Sequence, residues 1–241
     1  IRDRKMNDLK QAGILVHQLD VTKQDSNRAF VDFVEANATE IDIIVNSAGY
    51  GSQGALEDVD PAEAKNQFDV NVFGLMALTQ MILPIMRHQH SGKIINISSV
   101  GGQMYSPLAG WYYASKHALE ALSDTLRMEV KPFGIDVIII EPGGTKTEWG
   151  SVAMDKLKAQ TPANSAYHDL VEAYEAGGFS GFTTTPEEIA ALIMRAINAR
   201  RPKTRYQPNF GMKMLVIMAR KLSYKQFDKV MGRQMRGLTK H

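Results

Sequence analysis

Short apolar runs of strand length alternate along this chain with longer stretches whose apolar residues recur at helical spacing. Ile14-Leu15-Val16-His17-Gln18-Leu19 predicts a strand that ends at Asp20-Val21-Thr22. From Ser26 to Ala38, Ala29, Phe30, Phe33 and Val34 fall on one side of an amphipathic helix. Residues 41–46 predict a second strand, which runs into the turn-rich Ala48-Gly49-Tyr50-Gly51. Pro61 opens a helical stretch reaching Met86, at the first-turn position where a missing N–H costs nothing. A third strand is expected over residues 93–98, with Ile94, Ile95 and Ile97 as its bulky positions. Residues 115–130 are amphipathic, with Ala118, Leu122, Leu126 and Val130 on one face. Residues 135–140 are nearly all apolar, as suits a strand covered by helices on both faces. Pro186 starts a further helix through Asn198.

Helices between buried strands at this spacing imply parallel βαβ units. The expected fold is α/β: a doubly wound, mostly parallel, Rossmann-like sheet in a single domain. No Ser/Pro-rich linker divides the chain, and no repeat of 20–50 residues is visible. Residues 149–185 are looser, and Gly177-Gly178-Phe179-Ser180-Gly181 predicts a mobile loop. The organisation read from this pattern is a catalytic domain over residues 1–199. A basic extension over residues 200–241 is expected to pack on it or cap it.

Composition narrows the function classes. The 241 residues include no cysteine, which removes disulfides, thiolate zinc sites, iron–sulfur clusters and cysteine nucleophiles from consideration. Apolar runs fall short of the ~20 residues of a spanning helix, and no signal peptide opens the chain, so a cytoplasmic address is expected. The chain starts at Ile1 rather than Met, so it is expected to begin inside a longer product. Its 28 Lys+Arg and 26 Asp+Glu are unevenly spread. Residues 200–241 carry twelve basic residues and one acid, Asp228, a net +11, against −9 for the rest. Such a tail can meet an acidic surface, a membrane or a nucleic acid, or pair with the acidic body. No nucleic-acid motif accompanies it, so no nucleic-acid partner is expected. His88-Gln89-His90 lacks a nearby carboxylate set and reads as a solvated turn, not a metal site. Two glycosylation sequons, at Asn37 and Asn96, read as chance matches, the second lying in a core strand.

Ligands in such sheets bind beyond the carboxyl ends of the strands. Asn46-Ser47-Ala48-Gly49, Ser98-Ser99 and Pro142-Gly143-Gly144-Thr145-Lys146-Thr147 follow predicted strands, and Tyr112-Tyr113-Ala114-Ser115-Lys116 begins a helix. Tyr112 and Lys116, four residues apart, share a helix face about 5–6 Å apart at Cβ. An ammonium beside a phenol favours the phenolate and lowers the tyrosine's pKa, as proton exchange in alcohol–ketone chemistry requires. Tyr113 lacks that spacing.

Together these segments resemble the short-chain dehydrogenase/reductase family, over nearly the whole chain. The matching residues, in order, are Asn46-Ser47-Ala48-Gly49, Asn71 in Asn71-Val72-Phe73-Gly74, Ser99, Tyr112 with Lys116, and Pro142-Gly143. The wording around Tyr112 is similar to the branch of steroid and retinol dehydrogenases. The resemblance implies an NAD(P)-dependent oxidoreductase that interconverts an alcohol and a ketone or aldehyde on an apolar small molecule. It implies Tyr112 as acid/base, Lys116 as its tuner and ribose ligand, and Ser99 as the group polarising the substrate oxygen. Asn71 would hold a relay water. Cofactor contacts would come from Asp20 and Val21, from Asn46, Ala48 and Gly49, from Tyr112 and Lys116, and from Pro142, Gly143, Thr145 and Thr147. A homodimer or homotetramer is implied as well.

Two departures qualify the resemblance. The family's glycine-rich loop, Thr-Gly-x-x-x-Gly-x-Gly, is missing from the sequence, as though an N-terminal strand–helix–strand portion were absent. Thr145 stands where the family usually has an aliphatic residue. Arg2 and Arg4 lie near the coenzyme-selecting position and incline the choice to NADP over NAD. Gln103, Met104, Tyr105, Trp111, Trp149, Val152 and Met154 are candidates for an apolar substrate pocket or for plain packing. The apolar run 212–219, flanked by Arg220 and Lys221, would cap such a pocket or lie on a membrane surface, the latter less favoured. The alternative function is a non-catalytic member of the fold that binds a nucleotide or partner. A sugar-nucleotide epimerase ranks last, since only about 90 residues follow Pro142-Gly143.

Overall fold

Three runs of isoleucine and valine build the centre of the molecule. In the computed structural model, which describes residues 2–177 and 183–236, they form adjacent parallel strands. Helices α1 (Arg2–Gln11) and α2 (Gln24–Asn37) precede strand β1 (Ile43–Asn46). Then come α3 (Pro61–Phe68), a π-helical stretch Asp69–Gly74, α4 (Leu75–Gln89), β2 (Gly92–Ile97), α5 (Gly110–Val130) and β3 (Ile135–Ile140). The two-residue β4 (Gly144–Thr145), α6 (Trp149–Gln160), α7 (His168–Gly177) and β5 (Thr183–Thr184) follow. The chain continues through α8 (Pro186–Asn198), β6 (Arg205–Tyr206), α9 (Phe210–Lys221) and α10 (Tyr224–Arg236).

The main sheet runs β1-β2-β3-β6, all parallel, with Ile44 beside Ile94, Ile94 beside Val137, and Ile140 beside Tyr206. One face is covered by α2, α4 and α5: Val31, Leu78, Ile82, Met86, Leu126 and Val130 close over Ile44, Ile94 and Val137. The other face carries α8, where Leu192 and Ala196 cover Ile95, Ile138 and Ile140. Thr185 starts α8 with a full capping box, its hydroxyl accepting from Glu188 N while Glu188 accepts from Thr185 N. Asp60 caps α3 with its carboxylate alone, accepting from Ala62 N at 2.7 Å, with Pro61 at the first turn.

Three sequence expectations change. Residues 14–19 carry no regular secondary structure and belong to no sheet among the described residues. Correspondingly, Ile43 and Val45 on the α8 side of β1 are 38% and 39% exposed. The loose region 149–185 contains two helices, α6 and α7, which bury Ala153, Leu157, Val171 and Ala173. The predicted mobile loop at 177–181 lies, apart from Gly177, outside the described residues. Finally, the helix opened by Pro61 runs to Gln89, and by length and composition it is long and apolar enough to cross a bilayer. Here it is a core helix, with Leu75, Leu78, Ile82 and Met86 buried against the sheet.

A polar ladder crosses this core just below the strand ends. Asn46 Nδ2 donates to Asn96 Oδ1 (2.9 Å) and Thr79 Oγ1 (3.1 Å), and Asn96 Nδ2 donates to Ser123 Oγ (2.8 Å). Thr79 and Ser123 return their hydroxyl protons to the helix carbonyls of Leu75 and Leu119. Buried amides are tolerated when each finds a partner, and these tie β1, β2, α4 and α5 at the level where the site begins.

Candidate active site

Beyond the carboxyl ends of β1, β2 and β3 lies a cleft of about 570 Å³, well within the range of small-molecule sites. Ser47, Gly49, Ser99, Tyr112, Lys116, Pro142, Gly143, Thr145 and Thr147 line it. Nine positions spread over 100 residues therefore meet in one hollow, as the spacing argument required. Its outer wall is apolar: Met104, Trp149, Ile189, Ile193, Met212 and Leu215.

Each polar group is held by its element. Ser99 begins a short 3₁₀ turn, its Oγ accepting from Gly101 N (3.0 Å) and donating to the Pro142 carbonyl (3.3 Å). Tyr112 and Lys116 sit in the first two turns of α5, with the Lys116 Nζ 6.0 Å from the centre of the Tyr112 ring. That ammonium donates to the Ile97 carbonyl at 2.9 Å. Trp149 packs on Tyr112 from the other side, ring centres 5.4 Å apart. Burial pushes the Tyr112 phenol up to about 12, with the Ser99 hydroxyl pulling the other way. Burial also pulls Lys116 down to about 8, opposed by the charge of Glu120. The expected lowering of the phenol by the ammonium is not seen: desolvation dominates, and the opposing pull comes from Ser99.

Asn71 sits on the π-helical stretch behind the cleft. Its Oδ1 accepts from Tyr50 N (3.0 Å), and its Nδ2 donates to Tyr50 O and Ser115 Oγ (both 3.0 Å). These bonds fix the Gly49-Tyr50 turn, and a β-carbon on Gly49 would stand 3.1 Å from Asn71 Oδ1 and 3.7 Å from Lys116 Nζ. Asn46 lies in the polar ladder rather than on the cleft wall. Ala48 is exposed at its rim. Asp20 is exposed, and its Oδ1 is taken by Thr22 N (3.0 Å) and Thr22 Oγ1 (2.7 Å), which hold its carboxyl below the usual range. Val21 borders a different hollow, between α2 and α4. Of the candidate substrate residues, Met104 and Trp149 line the cleft, whereas Gln103 turns away into a buried acidic cluster. Tyr174, Ile189, Ile193 and Leu215 were not separable from ordinary packing positions by their sequence pattern.

The residues present fit the nicotinamide and ribose end of a dinucleotide. Pro142, Gly143, Gly144 and Thr145 line the cleft, and at Gly143 the Met212 thioether fills the place of a β-carbon. No glycine-rich backbone cradle for a pyrophosphate is found among the described residues.

A doubly wound sheet with this cleft at its carboxyl edge is the frame of a dinucleotide-binding oxidoreductase. The sequence profile of short chain dehydrogenases matches residues 3–157. A probable short-chain type dehydrogenase/reductase, VdlC, of Helicobacter pylori is 34% identical over 203 residues, covering 83% of this chain and 74% of that protein. A 3-ketodihydrosphingosine reductase of Bacteroides thetaiotaomicron is 33% identical over 213 residues, 86% of this chain and 76% of that one. A short-chain dehydrogenase/reductase of Burkholderia phymatum, solved in complex with NAD, superposes with a TM-score of 0.75 at 23% identity, covering 90% and 79% of the two chains. The chain belongs to the short-chain dehydrogenase/reductase family, a class of NAD(P)-dependent oxidoreductases.

Proposed function

We propose that this protein interconverts a secondary alcohol and a ketone, or a primary alcohol and an aldehyde, on an apolar small molecule, with Tyr112 as acid/base. The observation that carries the reading is the convergence of Ser99, Tyr112 and Lys116 on one face of a cleft whose opposite wall is apolar. A nicotinamide dinucleotide, when bound, supplies or accepts the hydride. Lys116 would hold its ribose, and Pro142, Gly143, Thr145 and Thr147 its carboxamide end. Ser99 donates to the substrate oxygen, where negative charge grows during reduction. The Tyr112 hydroxyl gives that oxygen its proton in reduction and takes it back in oxidation. Asn71 keeps the Gly49-Tyr50 turn against Lys116 and so preserves the shape of the floor. Trp149, Met212 and Leu215 exclude water from the reacting atoms.

The cleft wall supports an apolar substrate: Lys116 is the one charged side chain among the lining residues. A relative named 3-ketodihydrosphingosine reductase is consistent with a lipid-like ketone. For the coenzyme the reading inclines to NADP on Arg2 and Arg4, whose side chains lie outside the described residues. A homodimer or homotetramer is part of the same reading, supported by the exposed Phe73 and Met128, 61% and 73% accessible, and sedimentation equilibrium tests it.

The decisive experiment follows reduced-nicotinamide absorbance with a panel of apolar ketones and alcohols, each with NAD(H) and NADP(H). Turnover is expected in the native protein and a loss of at least about a thousandfold in Tyr112→Phe. Intact turnover in Tyr112→Phe would overturn the acid/base assignment. Coenzyme binding without turnover on any substrate would favour the non-catalytic alternative.

A further inference from the structure

Behind Lys116, on the side away from the substrate, lies a cluster of carboxylates that the proposed reaction does not use. Glu120 is one helical turn beyond Lys116 on the same face of α5, and the two side chains are 4% and 6% exposed. Glu141, fully buried, follows β3 immediately before Pro142. Arg205 of β6 joins them: its Nη2 is 2.9 Å from Glu120 Oε2 and 2.6 Å from Asp124 Oδ2, and its Nε is 3.2 Å from Glu141 Oε1. Gln103 donates to Glu120 Oε2 (3.0 Å) and to Glu141 Oε1 (3.2 Å), while Arg220 of α9 donates to Gln103 Oε1. Gln207 donates to the remaining oxygen of Glu141.

We propose that Glu120 is a positioning residue of the reaction: anchored by Arg205 and Gln103, its carboxylate is the counter-charge that keeps the buried Lys116 an ammonium. The inference rests on Lys116 acting as proposed above. Its ground is geometric. Three donors fall on Glu120 Oε2, from Arg205 Nη2, Arg205 Nε and Gln103 Nε2, so the carboxylate cannot swing aside. Its Oε1 has no hydrogen-bond partner among the described residues and lies on the side of Ser98 and Gly102. Ser98 adjoins Ile97, whose carbonyl receives Lys116.

The charges around both groups point the same way. Facing Lys116 are the Tyr112 ring, the neutral Asn71 amide beyond Gly49, the Ile97 carbonyl, and Glu120. Facing Glu120 are Arg205, Gln103, Glu141 and Asp124, with Arg220 behind Gln103 and Arg127 paired to Asp124. Two guanidiniums, of Arg205 and Arg127, serve these three carboxylates, and Glu120 is the carboxylate one turn from Lys116 on α5. A lysine taken out of water loses its proton readily without such a partner. A neutral Lys116 could not favour the Tyr112 phenolate.

The test titrates the Lys116 Nζ by heteronuclear NMR in the full chain, its signal assigned by loss in Lys116→Arg. In Glu120→Gln the midpoint is expected to fall by on the order of one pH unit, whereas in Glu141→Gln it does not fall. An unchanged midpoint in folded Glu120→Gln, or equal falls in both variants, would overturn the proposal. Should Glu120→Gln not fold, Glu120→Asp decides, because the shorter side chain draws the carboxylate back from Lys116. The Lys116 midpoint is expected to fall in it too, and an unmoved midpoint overturns the proposal. Neither readout needs turnover. A failure here therefore leaves the Tyr112→Phe result to stand, and a failure of Tyr112 as acid/base leaves this coupling measurable.

Discussion

Met212 occupies the space that a side chain at Gly143 would need, so a helix of the basic tail and the loop after β3 fit only as thioether against bare backbone. Methionine's flexibility lets it follow the backbone closely. The contact places α9 as the lid-side wall of the cleft, directly over the segment assigned to the nicotinamide.

Gly143→Ala is therefore expected to displace Met212 and distort that wall. Because the atoms displaced are the far end of a flexible side chain, the cost should stay under about 1 kcal/mol, read as a shift in the urea midpoint. Turnover on the best substrate of the panel should fall at least about tenfold. Met212→Ala by itself should cost about 2–5 kcal/mol, because Met212 is buried against Val100 and Met104.

Arg205 is the principal cation of a cluster holding Glu120, Asp124 and Glu141. Removing one partner of a buried charge set costs about 3–5 kcal/mol, because the remaining charges stay unpaired. Arg205→Met should show such a loss in denaturant unfolding. The triple variant Arg205→Met, Glu120→Gln, Glu141→Gln should recover a substantial part, since it buries no uncompensated carboxylate at either glutamate.

Stability should also depend on pH through Glu141, whose carboxyl is raised from 4.5 to about 7 by burial first and by Glu120 second, with Gln207 and Arg205 opposing. The folded state holds this proton more tightly than the unfolded chain. The contribution is thus complete below about pH 4.5 and lost as pH rises through about 7. Melting temperature should decline over that interval, and Glu141→Gln should flatten the decline. An identical slope in both proteins would remove Glu141 as its source. Lys116 acts in a separate window: its lowered value makes stability rise with pH above about 8.

Asn96, fully buried, accepts from Asn46 and donates to Ser123. Asn96→Ala leaves the Ser123 oxygen without that donor and weakens the hold on the Asn46 amide. A cost of about 2–3 kcal/mol is expected, measured by calorimetry. Activity should decline with it, because this ladder sets the level of the Gly49 turn.

Much of the fold was legible because it rests on local patterns. The isoleucines of residues 135–140 sit at full burial as a doubly covered strand should, and Pro186 and Asn198 bound α8 where the periodicity placed them. Tyr112 and Lys116 could be paired from their spacing alone, since a helix makes four-residue neighbours touch. Residues 14–19 looked like a strand because they are apolar, but a strand also needs a neighbour, and no local pattern reports one. Asn46 is a cofactor contact only by the family resemblance; which way its side chain turns depends on Thr79 and Asn96, 33 and 50 residues on. The Arg205 cluster was illegible for the same reason. Its bonds to Glu120 and Asp124 span 85 and 81 residues, and nothing near Arg205 in the sequence distinguishes it from the other bases of a cationic tail.

That tail, with its surplus of positive charge, is built into the interior by three of its side chains and by Met212, Val216, Phe227 and Met231, which bury Val100 and Met104. Its Arg205, Gln207 and Arg220 answer carboxylates and an amide that the first 199 residues bury in advance. The two parts are thus complementary halves of one electrostatic whole, and a chain cut at residue 199 would be left with Glu120 and Glu141 facing no cation and a cleft open along one side.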